Sequence, residues 1–318
     1  MLPKRRAVID VGTNSVKLLV ADVSGREVRP VLEDSKQTRL GQGFYETHRL
    51  QPAAVTKTAA MAAQFAWKAR ELKAESVRII ATSAARDAKN PAELTSAIEN
   101  ASGFKVEIIT GEQEADWTFQ GVTSDPAFAD LPILLLDVGG GSTEFILGHG
   151  ENRHFQRSFP LGTVRLLERN PHSDPPRPEE LAHCRSIIRE FLRREVDPAL
   201  SPALRRESRI DSRQREVQLV GTGGTTTILA RMEAGLADFD REVIESTRLG
   251  VDRMRWHVEH LWGMTFARRQ EIVGLPKKRA DVILLGSAIF EGVMEIFGLE
   301  ELRVSTRSLR YAALMDGA

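Results

Sequence analysis

Two segments of the same grammar, one starting at Asp10 and the other at Asp137, constrain this chain more than any other feature. The first reads Asp10-Val11-Gly12-Thr13-Asn14-Ser15-Val16-Lys17-Leu18-Leu19-Val20. The second reads Asp137-Val138-Gly139-Gly140-Gly141-Ser142-Thr143-Glu144-Phe145-Ile146-Leu147. In each, an apolar run ends in Asp-x-Gly, turns through small polar residues and enters a second apolar run. That pattern predicts a strand, a tight turn and a returning strand, twice. Glycines in such turns let backbone N–H groups come close to a phosphate. Asp10 and Asp137 are acceptors only when ionised, which suits a divalent cation or its water shell. Two such hairpins a domain's length apart predict a duplicated fold that grips a phosphorylated ligand between its halves.

Length agrees with duplication, because 318 residues exceed what a single core usually organises. Lys plus Arg equals Asp plus Glu at 44 each, so no overall field draws in nucleic acid or an anionic membrane. Neither is expected as a partner, and an anionic ligand has to be held by local cations. The single cysteine, Cys184, rules out an internal disulfide and fits a reducing compartment. No apolar run approaches the ~20 residues that cross a bilayer. A soluble, cytoplasmic protein is expected.

Strands are predicted over residues 7–11, 16–23, 77–81, 106–109, 133–137, 143–147 and 217–220, each rich in Val, Ile or Leu. Helical spacing covers 52–74, and Asn90 as cap, Pro91 at the first position and Glu93 at the third predict a helix start that Gly103 ends. Residues 179–196 read as a helix and 201–215, dense in Arg, as an exposed connector. From residue 252 onward the pattern is helical, with 283–297 the most buried helix. The alternation argues an α/β architecture, repeated. The boundary is placed at the Asp125–Pro132 stretch, giving domains 1–125 and 126–318, with the last helix, about 306–318, packing back on the first.

A third glycine turn, Gly221-Thr222-Gly223-Gly224-Thr225-Thr226-Thr227, links a strand to a helix. It matches neither the dinucleotide nor the P-loop fingerprint. Close strand–helix packing explains it alone; beside the other two turns it reads as a further wall of the same pocket, with Gly223 a phosphate-binding candidate. Thr110 and Gln113 have capping-box spacing, which puts Glu112 and Glu114 in a helix's first turn at the end of a strand. A carboxylate there can take a proton from an attacking water or simply offset the helix dipole. Lys17, Arg86, Arg165 and Arg310 are cations near turns, of the kind phosphoanhydride chemistry requires.

Taken together, these residues resemble the exopolyphosphatase/guanosine pentaphosphate phosphohydrolase (Ppx/GppA) family over nearly the whole chain. The segments that carry the likeness are Val8–Ser15, Ala81-Thr82-Ser83-Ala84-Ala85-Arg86, Ile109–Ala115, Leu136–Glu144 and Pro160–Arg165. The first and fourth are shared with actin-like ATPases and sugar kinases. The resemblance implies two ribonuclease-H-like domains with an active cleft between them, and Mg²⁺-assisted (or other divalent cation) hydrolysis of terminal phosphoanhydrides of polyphosphate or guanosine pentaphosphate. It implies that Glu114 positions or deprotonates water, with Glu144 and Arg86 in catalytic roles. It implies Asp10, Asp137 and Glu144 facing the metal. Gly12, Thr13, Asn14, Ser15, Lys17, Gly139, Gly140, Gly141 and Ser142 would hold phosphates, and the protein would be a homodimer. In the family's closing pattern, Ser305, Leu309 and Arg310 are kept, whereas Thr306, Tyr311 and Ala312 differ. Two other functions fit the same turns: an ATP-dependent kinase using 221–227 as part of an adenosine pocket, and a non-catalytic guanosine tetra- or pentaphosphate sensor.

Overall fold

A computed structural model of the chain describes residues 2–210 and 216–316. The chain opens with β1 (Lys4–Val11), β2 (Ser15–Ser24) and β3 (Glu27–Gln37), then α1 (Phe44–Thr47) and α2 (Pro52–Glu71). Next come β4 (Ser76–Ala81), α3 (Ser83–Arg86), α4 (Pro91–Ser102), β5 (Val106–Ile108) and α5 (Gly111–Thr123). A second series starts with β6 (Ile133–Val138), β7 (Thr143–His149), β8 (Asn152–Phe159), α6 (Thr163–Arg169) and α7 (Pro178–Phe191). A π-turn over Leu192–Val196 leads into α8 (Asp197–Ile210). The chain then forms β9 (Gln218–Thr222), α9 (Gly223–Glu233), α10 (Arg241–Ser246), β10 (Arg248–Gly250), α11 (Val251–Trp262) and α12 (Phe266–Arg269). It closes with α13 (Ile283–Phe297), β11 (Glu301–Val304) and α14 (Leu309–Met315).

These elements form two compact units. One contains Met1–Ser124, Gly139–Gly141 and Arg307–Ala318; the other contains Asp125–Val138 and Ser142–Thr306. The sheet of the first runs β3-β2-β1-β4-β5, antiparallel through β1 and parallel beyond it. The sheet of the second runs β8-β7-β6-β9-β11, again antiparallel then parallel, with β10 added at the edge. Each sheet therefore has the 3-2-1-4-5 order of a ribonuclease-H-like domain, and the duplication seen in the two hairpins is a duplication of topology. These are two α/β domains of the actin-like ATPase type.

Packing explains why these strands sit where they do. In the first unit Val8, Leu19, Ala21, Ile80 and Trp117 form a core with Leu309, Tyr311 and Ala312 of α14. Gly121 of α5 has no side chain because a Cβ there would strike the carbonyl of Ser308, so α14 seats directly on α5. Tyr311 and Ala312, two of the divergent closing residues, are thus core residues. In the second unit α13 is buried from Ile283 to Met294 and packs on α7, α9 and α11. Each of its Leu, Ile and Phe side chains from Ile283 to Phe290 contributes about 1.5–3 kcal/mol of burial.

Three sequence expectations are corrected. Residues 201–210 are not an exposed connector but belong to α8, whose Leu200, Ala203 and Glu207 turn one face inward while Arg205 and Arg206 stay exposed. The rest of that stretch, 211–215, lies outside the described residues. The chain beyond residue 252 is not helical throughout, because β10's partner β11 pairs in parallel with β9 after the Gly298 stop. Asn90 precedes α4, yet its side chain bonds Leu50 N–H and C=O instead of capping the helix.

Candidate active site

In the first unit the site grows from the end of β1. Asp10 and Lys17 are register partners on β1 and β2, so their side chains share a face of the sheet, with Nζ 3.7 Å from Oδ2. Between them the turn closes with Gly12 N–H donating to Ser15 O at 3.0 Å. The segment after β3 fastens it: Thr38 and Arg39 N–H donate to Asn14 O, and Gly41 N–H donates to Thr13 O. Gln37 donates its amide to Asn14 Oδ1 at 2.9 Å, which leaves the Asn14 amide nitrogen as a fixed donor.

Among the described residues that donor is buried without a partner, and so are Asp10 Oδ1, Ser15 Oγ and Ser83 Oγ. Folded proteins seldom leave buried polar atoms unpaired, because each costs about 1–3 kcal/mol. A cluster of amide, hydroxyl and carboxylate atoms is what a phosphate and a hydrated cation would satisfy. Gly139–Gly141 belong to this same unit. A Cβ on Gly141 would collide with Ser83 Oγ and Tyr45 Oη and come within 3.0 Å of Thr13 Oγ1, so the backbone of the second turn lies against the first.

Glu114 is placed by the start of α5. Thr110 Oγ accepts from Gln113 N–H at 3.1 Å, and the helix then turns Glu114 inward, 7% exposed, while Glu112 faces solvent. Arg86, at the end of α3, points Nη1 at Glu114 Oε2, 3.0 Å away, and at the Ile109 carbonyl, 3.3 Å away.

The second unit carries the other acidic turn. Asp137 and Glu144 are register partners on β6 and β7, so they too share a face. Glu144 is 1% exposed, and its Oε1 accepts the Ser158 hydroxyl at 2.7 Å from the neighbouring strand. Ser142 is buried at the start of the returning strand. Gly223 begins α9 at φ +84°, and a Cβ there would run into the Asp137 carboxylate. Thr225 Oγ donates to Val138 O, tying the third glycine turn to the second.

The structure thus brings Asp10, Thr13, Asn14, Ser15, Lys17 and Gly141 together, sets Arg86 on Glu114, and groups Asp137, Glu144 and Gly223. Arg310 donates to Leu18 O and Glu33. His257 lies on Glu233, and His260 is stacked on Trp256. Three residues beside the turns were not singled out from the sequence. Ser83 and Tyr45 abut Gly141, and the Arg279 guanidinium lies against Gly224. Ser83 stands in a segment that carries the family likeness. Arg279, in the Lys277–Arg279 helical turn, has no local signal, since only tertiary folding brings it to Gly224.

Comparison with known proteins gives the family. The profile of the Ppx/GppA phosphatase family matches residues 19–317. Exopolyphosphatase 2 of Mycobacterium tuberculosis is 35% identical over 96% of each chain. A crystal structure of the Aquifex aeolicus Ppx/GppA family member is 29% identical, covers 98% of this chain and 97% of that one, and superposes with a TM-score of 0.77. An exopolyphosphatase from Cytophaga hutchinsonii is 26% identical over 99% of each chain, with a TM-score of 0.84. The chain belongs to the Ppx/GppA phosphatase family.

Proposed function

We propose that the protein is an exopolyphosphatase: a hydrolase that releases orthophosphate from the end of inorganic polyphosphate, and in the same manner the terminal phosphate of guanosine pentaphosphate. The buried, unpartnered atoms Asp10 Oδ1, Asn14 Nδ2, Ser15 Oγ and Ser83 Oγ carry this reading, because they need an anionic, metal-associated ligand to be satisfied. The curated relatives named for exopolyphosphatase activity support the choice of polyphosphate.

In this reading each acidic turn offers groups that hold phosphate or its cation. Backbone amides and hydroxyls of 12–15 and 139–142, with Gly223, hold non-bridging oxygens. Lys17 offsets their charge, and Arg279 lies beside the third turn at Gly224. Asp10, Asp137 and Glu144 offer the hard oxygen donors that Mg²⁺ or another divalent cation prefers. Such a cation, when bound, neutralises charge on the phosphates. Glu114 accepts a proton from a water whose oxygen bonds to the terminal phosphorus as the bridging P–O bond breaks. The electron pair leaves with the shortened chain, and orthophosphate is released. Arg86 holds the Glu114 carboxylate in place for that transfer. The lone cysteine supports a cytoplasmic, reducing location, and the family resemblance supports a homodimer.

The test compares initial rates of phosphate release from short polyphosphate, long polyphosphate, guanosine pentaphosphate and ATP in the presence of Mg²⁺. Release from polyphosphate or guanosine pentaphosphate, with none from ATP, is expected. Transfer of phosphate from ATP to an acceptor without hydrolysis of polyphosphate would replace this reading with a kinase.

A further inference from the structure

At the end of the β7–β8 hairpin away from Glu144, three metal-binding side chains from three elements meet. His149 ends β7, His154 lies in β8 and Glu207 comes from α8. Their ligand atoms all lie within 4.8 Å of one another. His149 Nδ1 is 2.7 Å from Glu207 Oε1, and His154 Nδ1 contacts Glu207 Oε2. The imidazole rings meet edge to face with centroids 5.3 Å apart.

The local backbone is built to make this cluster. Gly148 pairs with Arg153 and Leu147 with Phe155, so His154 is the extra residue of a β-bulge, a device that re-aims a side chain. On α8, Glu207 follows Leu200 and Ala203 on the inward face, where an apolar side chain would continue the pattern. Its side chain is wholly buried, while those of His149 and His154 are 30% and 21% exposed. Burying a carboxylate is costly unless a positive charge accompanies it. Among the described residues, the two imidazoles are its only polar side-chain partners.

We propose that His149, His154 and Glu207 bind one zinc-class divalent ion, with water in the remaining position. Two imidazole nitrogens and one carboxylate oxygen form a donor set of borderline softness, which suits zinc better than magnesium. Ligand atoms about 2.0–2.1 Å from a tetrahedral ion stand roughly 3.3 Å apart, so the His149–Glu207 pair at 2.7 Å opens by about 0.6 Å to admit one. Each imidazole binds through Nδ1 and keeps its proton on Nε2. The ion fastens α8 to the hairpin, ~17 Å along the strand from Glu144, and is separate from the phosphate site.

The test uses the full chain, stripped with EDTA, reloaded with zinc chloride and passed through gel filtration before its metal content is measured. One zinc retained per chain is expected, with a higher thermal midpoint than the stripped protein. His149→Ala and His154→Gln should each lose both effects; the second variant keeps a donor for Glu207 and so distinguishes ligation from hydrogen bonding. Cobalt(II) should give the visible absorption of a four-coordinate site in the parent protein and not in the variants. No retained zinc, or equal retention by parent and variants, would overturn the proposal and leave Glu207 a carboxylate that accepts two imidazole N–H bonds.

Discussion

Arg86 Nη1 lies 3.0 Å from Glu114 Oε2, joining the end of α3 to the first turn of α5. Neither partner is more than a quarter exposed, at 23% and 10% of the side chain, so solvent screens the pair only in part. Arg86→Gln should destabilise the protein by about 1–3 kcal/mol, because it removes a charged hydrogen-bond donor from a buried carboxylate. Adding Glu114→Gln should restore part of that loss. Urea unfolding of the two single variants and the double variant measures the coupling, and additive losses would show that the pair contributes nothing jointly.

Gly223 has no room for a side chain. Its φ of +84° strains any L residue, and a Cβ would meet the Asp137 carboxylate. Gly223→Ala should cost about 2 kcal/mol or more and abolish most phosphate release. Gly25 is the control: it has φ +59° with nothing within 4 Å of a Cβ. Gly25→Ala should cost only the backbone strain, about 1–2 kcal/mol, and keep full activity. Denaturant midpoints and initial rates for both variants decide whether the collision matters beyond the strain.

The hairpins were legible because each strand is a continuous run of Val, Ile and Leu that ends in Asp-x-Gly. Register then does the rest, since partners such as Asp137 and Glu144 must share a face. The strands β3 and β8 were not legible. Glu27–Gln37 and Asn152–Phe159 carry charge on both faces, as sheet-edge strands do, and show no clean alternation. The helix α8 was hidden by Pro202 and by arginines that crowd its outer face. Beside the turns, sequence singled out the acids and glycines but not Ser83, Tyr45 or Arg279, whose positions depend on what lies opposite them in space.

The lone thiol gives a prediction in pH. Burial pushes the Cys184 pKa up to about 12 from 9.0, and the Glu291 carboxylate adds to the rise. The native thiol therefore keeps its proton while an unfolded thiol releases it, so this group's contribution to stability is complete below pH 9.0 and is lost as pH rises toward about 12. At pH 8 the folded protein should not react with a thiol-specific chromogenic disulfide, and unfolding in urea should release one reactive thiol. Rapid reaction of the folded protein would contradict the burial.

The most direct test of the catalytic account is phosphate release from polyphosphate by Glu114→Gln, at saturating Mg²⁺ and with folding checked by circular dichroism. Loss of the carboxylate that takes the water's proton predicts a fall of about 10²–10⁴-fold in kcat with little change in KM. A fall of less than about tenfold in a folded variant would contradict the role assigned to Glu114.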